Sequence, residues 1–273
     1  MATRSALILA LALAIAGIAA GACTQLYDLS ALGPAEDDAG VGADTSTGDA
    51  GPHVCPTGEG PPMISAGSFC IDSTEVTNAQ YVKFLDDLRM TGDAPPLPSA
   101  CTFNNKSFTP LAEWPPAQPE LALPVRHVDW CDALAYCTWA KKRLCGRLGA
   151  GPALRPGQAA DPAISEWAFA CTGGNPQAYP YGVSYEAGRC NARSDAALPE
   201  SSRCAGGFPG LLDMAGNVAE WIDACESTNG SFDDCPVAGG SFLSNGANAA
   251  CDASAPAARG GPRRDQGIRC CSP

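Results

Sequence analysis

Fifteen cysteines in 273 residues constrain this chain more than any hydrophobic pattern in it. Setting Cys23 aside leaves an even set running from Cys55 to Cys271. Such a set can be paired in full, as an exported protein needs, although even parity also arises by chance. No Cys-x-x-Cys occurs, which removes the zinc-ribbon and thioredoxin-like readings. With 30 glycines and 24 prolines, the chain calls for many turns and little regular structure. Cys190 and Cys204 read as a local staple. Adjacent Cys270 and Cys271 need different partners, because a vicinal bridge is strained.

Residues 1–22 read as an export signal: Arg4, an apolar run from Ala6 to Ala20, and the small residues Ala20-Gly21-Ala22 before a cleavage point. The run is too short for a permanent membrane helix. Cleavage there makes Cys23 the first mature residue, in an ordinary secreted protein or in a bacterial lipoprotein that carries its lipid on Cys23. The lipoprotein reading is preferred, because a tether also accounts for the segment after it. Residues 23–54 carry Asp28, Glu36, Asp37, Asp38, Asp44 and Asp49 with no Lys or Arg, among Gly, Ala, Ser and Thr. That composition suits a flexible acidic spacer between a membrane and a domain at 55–273. The expected location is the bacterial outer membrane or cell surface, with a periplasmic or secreted protein as the alternative.

A formal net charge of −12 argues against nucleic-acid partners. The only histidines are His53 and His127, too few for a three-histidine metal site. A short strand is expected within Ser68–Asp72. Thr77 is the expected cap of a helix whose buried face is Ala79, Val82, Leu85 and Leu88. Residues 91–121 read as a Pro-rich excursion stapled through Cys101. Pro124–Val128 is a strand candidate. Asp129 is expected to cap a helix from Trp130 to about Lys142 that buries Ala133, Leu134, Cys137 and Ala140. Asp161-Pro162 is read as the start of a third helix, stopped by Gly173-Gly174.

The nine residues Asp213-Met214-Ala215-Gly216-Asn217-Val218-Ala219-Glu220-Trp221 combine two carboxylates, an amide, a glycine free to take φ > 0 and a core tryptophan. Carboxylates plus inward carbonyls build an oxygen cage for a hard cation such as calcium. Two other readings stand beside it: a general acid/base pair, or a capped turn in which Glu220 pairs with Arg259 or Arg269.

These segments, in this order, resemble the formylglycine-generating enzyme, or sulfatase-modifying factor, family over most of residues 67–271. The carriers are F-C-I-D-S-T-E-V-T-N-A-Q-Y from Phe69, P-V-R-H-V-D-W-C-D-A-L-A-Y-C-T-W-A-K-K-R-L from Pro124 and S-E-W-A-F-A-C from Ser165. They continue with D-M-A-G-N-V-A-E-W from Asp213, A-G-G-S-F from Ala238 and G-I-R-C from Gly267. The implied fold is an irregular α+β domain, distantly like C-type lectins, rich in loops and disulfides, with few long elements. One departure is an insertion after Arg143-Leu144 that brings its own Cys145 and is expected to be a disulfide-pinned loop.

Active members of the family oxidise a cysteine of a client sulfatase to formylglycine with molecular oxygen and copper(I) held between two thiolates. The resemblance places the first thiolate at Ser244 and the second at Ala249 or Cys251, depending on which flanking motif is counted from. A serine hydroxyl is a hard, poor ligand for copper(I), so copper and oxidase activity are not expected. The family groove would then run past Ser241, Asn245 and Arg259. Relatives that make ergothioneine bind iron through histidines, and the two in this chain cannot make that site. The resemblance also implies calcium at Asp213, Gly216, Val218 and Glu220, and offers Asn191 to a second site whose other ligands fall where this chain is shorter. It implies the disulfide Cys137–Cys270 and a bridge from Cys171 to Cys251 or its neighbourhood. The function expected is binding of a peptide or glycan at the cell envelope, with the membrane reached through the lipid. The alternatives are an active oxidase, using Cys251 and another sulfur, and a purely structural envelope protein.

Overall fold

The computed structural model describes residues 53–149, 151–200 and 202–273. The export segment 1–22, Cys23 and the acidic spacer as far as residue 52 lie outside the described residues. The elements are few and short: β1 (Met63–Ser65), β2 (Cys70–Asp72), α1 (Asn78–Thr91), α2 (Trp130–Trp139), β3 (Arg143–Leu144), α3 (Glu166–Thr172), β4 (Ala219–Trp221), β5 (Val237–Ala238), β6 (Ser254–Ala255), β7 (Gln266–Gly267) and β8 (Cys270–Ser272). They form two four-stranded sheets, ordered β1-β2-β8-β3 and β6-β5-β4-β7. All pairings are antiparallel except β4 with β7. No helix among the described residues is long and apolar enough to cross a membrane.

Adjacent Cys270 and Cys271 show how so little secondary structure is held. Successive side chains of a strand point to opposite faces, so β8 sends one sulfur into each of two hydrophobic clusters. Cys270 joins Cys137 of α2 in the cluster that also holds Tyr81, Phe84 and Tyr136. Cys271 joins Cys145 in the cluster that holds Trp167, Leu211 and Met214, and so pins the insertion after β3. These bridges span 133 and 126 residues. In the loop-entropy picture a closure of that length stabilises by about 4–5 kcal/mol. Five more pairs, Cys55–Cys70, Cys101–Cys131, Cys171–Cys251, Cys190–Cys204 and Cys225–Cys235, staple the loops.

The helices start where short polar side chains can replace the missing backbone partners. Thr77 caps α1 in a reciprocal box: its Oγ1 accepts from the Gln80 N–H (3.3 Å) and the Gln80 Oε1 accepts from the Thr77 N–H (2.8 Å). The buried face of α1 is Tyr81, Phe84 and Leu85, whereas Ala79 is exposed and Val82 and Leu88 are half-buried. Aromatic packing on α2 sets that rotation, with Tyr81 stacked on Tyr136 at 5.6 Å and Phe84 edge-on to the same ring. The apolar spacing fits two adjacent faces, and the larger rings take the core.

Asp129 caps α2, which ends at Trp139, short of Lys142, and leaves Leu134 half-buried. Lys142 is drawn out of helical register into a buried contact with Asp72 Oδ1 (2.6 Å) and the Pro61 carbonyl (2.9 Å). Burial pushes the Asp72 carboxyl up to about 6 against the pull of Lys142. Pro124–Val128 is not a strand. Only Pro124 bridges, to Thr77, and His127 sits at φ 59°. Asp161-Pro162 makes a turn, closed by Ser165 N–H to the Asp161 carbonyl (2.8 Å), and α3 begins later, under a Ser165 cap. Gly173 ends it at φ 61°, where a Cβ would stand 2.6 Å from the Gly207 carbonyl oxygen.

Candidate functional site

The chain around Asp213–Trp221 comes out of a long loop and enters the second sheet as β4. Asp213, Gly216 and Asn217 all take positive φ (55°, 77° and 53°), so the backbone coils tightly before β4 begins. Only glycine fits at 216, because a Cβ there would lie 2.4 Å from the Asn191 carbonyl oxygen. The Asn217 amide is used on both sides. Its Oδ1 accepts from Asn191 Nδ2 and the Leu198 N–H, each at 2.9 Å, and its Nδ2 donates to Glu75 and to the Leu198 carbonyl. The Val218 N–H donates to Glu75 Oε1 at 2.9 Å.

Glu220 points into the interior from β4. Its Oε2 accepts from Trp167 Nε1 at 2.6 Å, and its carboxylate receives Arg269 through Nε (2.9 Å) and Nη2 (2.8 Å). Arg269 is fully buried and spends its remaining donors on the carbonyls of Asp72 (2.7 Å) and Leu212 (2.9 Å). Of the two arginines that the sequence offered to Glu220, Arg269 takes it. Arg259 instead pairs with Asp233 Oδ2 at 2.8 Å and lies over the Trp130 ring.

Glu75, Asp213 and Glu220 are all buried. Burial, followed by the charges of Asp213 and Glu220, pushes the Glu75 carboxyl well above the usual range. Burial also raises Glu220, while Arg269 and the Trp167 hydrogen bond pull it back. Glu75 and Glu220 thus share the neighbourhood of one buried guanidinium. Sequence reasoning missed Glu75 as a member of this group, although it stands inside the T-E-V-T-N motif. Asn191 is absorbed in bracing the loop: its Oδ1 accepts from Ser194 Oγ (2.6 Å) and its Nδ2 donates to the Ala196 carbonyl (3.0 Å). Among the described residues no three His, Cys, Asp or Glu side chains converge on a common metal position. A cation at this turn would therefore lean on backbone carbonyls.

The second region is a cavity of about 420 Å³ walled by β5, β6, β7 and the turn after Gly240. Ser241 and Ser244 line it; Asn245, Ala249, Cys251 and Arg259 do not. Ser244 Oγ accepts from the Ser241 N–H (2.9 Å), and Ser241 Oγ donates to Asp265 Oδ2 (2.9 Å). Asn245 caps the following turn through the Asn248 N–H (3.1 Å). Ala249 and Cys251 are buried, and Cys251 is bonded to Cys171. Every cysteine among the described residues is in a disulfide, so no thiol borders the cavity.

Comparison with known proteins agrees with this architecture. Residues 44–272 match the sulfatase-modifying factor enzyme 1-like domain, and the chain belongs to that family. It is 28% identical over 205 residues to the inactive C-alpha-formylglycine-generating enzyme 2 of Mus musculus, covering 60% of this chain and 61% of that one. To the formylglycine-generating enzyme of Mus musculus it is 25% identical, covering 62% of this chain and 53% of the relative. The chain therefore spans only part of the length of these relatives. Among solved structures, PvdO from Pseudomonas aeruginosa has a TM-score of 0.52 at 16% identity, covering 79% of this chain and 90% of that one. CarF has a TM-score of 0.50 at 21% identity, covering 75% and 86%. Both likenesses concern the fold.

The Arg269→Met variant is expected to lose roughly 3–5 kcal/mol, because it leaves Glu220 buried without its cation. The deficit should shrink as pH falls and Glu220 takes up a proton. Denaturant unfolding at several pH values measures both. A loss under about 1 kcal/mol would mean that the pair is not what holds Glu220 in place.

Proposed function

We propose that this domain binds rather than oxidises. It is read as an exported protein, anchored through lipid on Cys23, that holds a peptide or glycan at the cell envelope. The observation carrying this reading is the state of the sulfur atoms. Copper(I) chemistry of the family type needs two thiolates side by side. Here the first position is Ser244, and the nearest later cysteine, Cys251, is closed in a disulfide with Cys171. A sulfur in a disulfide has no thiolate to offer, so the residues present do not fit copper. The likeness to a mouse relative named as inactive supports the same reading.

A calcium ion does suit the residues at the turn before β4. Asp213 would offer carboxylate oxygen and Gly216 and Val218 carbonyls, an all-oxygen set that hard cations prefer, while Glu220, the fourth ligand the resemblance implies, is already held by Arg269 and Trp167. The ion would tie the positive-φ turn to β4 and carry no reaction step.

Purified protein given copper, oxygen and a cysteine-containing sulfatase peptide should form no aldehyde detectable by mass spectrometry; aldehyde would overturn the binding reading. Calcium should raise the melting temperature by several degrees in the wild-type chain and far less in Asp213→Asn, whereas no heat of binding in titration calorimetry would remove the calcium site. Cys23→Ala should move the protein from the membrane fraction to the soluble one, and an unchanged distribution would rule out the anchor.

A further inference from the structure

The cavity beside Ser241 carries a demand that the chain does not meet. Gln266, in β7, lines it and is 1% exposed, yet neither Nε2 nor Oε1 has a hydrogen-bond partner. Next to it, Asp265 uses Oδ2 on Ser241, while Oδ1 lacks a hydrogen bond and pairs with Arg263 Nε at 3.3 Å, on a side chain that is 59% exposed. A buried amide left unpaired destabilises the fold, so native chains rarely keep one without a partner from water or ligand. Both residues line the cavity.

The rest of the lining defines what that partner would be. Ser254, Asn248 and Asp252 add a hydroxyl, an amide and a carboxylate. Ala219, Ala247, Ala253 and Ala255 keep the walls small, which leaves the volume free. No aromatic ring, histidine or thiol contributes to the lining. The volume lies within the range of small-ligand sites.

Resting on the binding reading above, we infer that this cavity takes a hydroxyl-rich ligand the size of a sugar residue, with Gln266 and Asp265 as its anchoring hydrogen-bond partners. Asp265 can only accept, and Gln266 both accepts and donates. The ligand must therefore offer at least two donors and an acceptor on neighbouring atoms. Vicinal hydroxyls do this, since each is donor and acceptor at once. An extended peptide backbone turns successive N–H and C=O groups to opposite edges, and so offers a single donor to a given wall at each repeat. The hydroxyl-rich ligand fits the paired groups better.

Titration calorimetry of the purified protein with glucose, galactose, mannose and N-acetylglucosamine, and with an acetylated, amidated tetra-alanine peptide, tests this. At least one sugar should bind saturably, and Gln266→Met should weaken it about tenfold, the value of one hydrogen bond at a neutral group. The same substitution should leave the ligand-free melting temperature unchanged or higher, because it removes two unpaired buried atoms. Peptide binding without sugar binding would overturn this inference and leave the binding reading in place. Binding of no probe, or a ligand-free melting temperature lowered by several degrees in Gln266→Met, would overturn it as well. Aldehyde formation in the oxidase assay would instead strike at the binding reading itself.

Discussion

The structure turns on the buried pair between Arg269 and Glu220. Arg269 comes just before β8 in the first sheet, and Glu220 lies in β4 of the second. The guanidinium also holds the Asp72 carbonyl at the end of β2, and the Glu220 carboxylate holds the Trp167 indole of α3. Two sheets and a helix are thus registered by one ion pair. Ions in that setting have a large desolvation penalty, and it is offset only because every donor and acceptor is placed. Strands of two or three residues provide too little ladder to fix such a position themselves. The disulfides and the pair therefore do the work that longer strands do elsewhere.

The parts legible in the sequence are those with a local physical cause. Thr77, Asp129 and Ser165 cap helices because a short oxygen at that place satisfies free N–H groups, and two of these caps can be read from the residues alone. Gly216 and Gly173 are needed where the backbone takes positive φ against a neighbouring carbonyl. What was not legible depended on distant partners. Asp161-Pro162 looks like a helix start, yet the turn it makes is closed by its own carbonyl, and the helix waits for Ser165. Pro124–Val128 has strand composition, but His127 breaks its extended path. The face of α1 was set by Tyr136, a residue on another helix. Glu75 joined the buried acids only through a fold that brings residues 75 and 218 together. The order of motifs made the family readable, while the status of Cys251 needed the position of Cys171.

Fold and site have separate requirements in this domain. The Gly-Gly-Ser turn, the Asn217 brace and the Arg269 pair are all intact, although Ser244 stands where the resemblance expects a sulfur. None of these supports depends on that sulfur, so its replacement leaves the scaffold whole. The cavity that remains is bordered by hydroxyls, amides and carboxylates, groups suited to recognition.

The two neighbouring sulfurs of β8 also impose an order of assembly. This strand lies between β2 and β3, so the centre of the first sheet is filled by the last-made of the described strands. Until it arrives, Cys137 and Cys145 have no native partner, and β2 and β3 present bare edges toward one another. Contacts over such separations close late and slowly. The domain is therefore exposed to mispaired cysteines for most of its synthesis, and a compartment that reshuffles disulfides suits it better than one that only forms them.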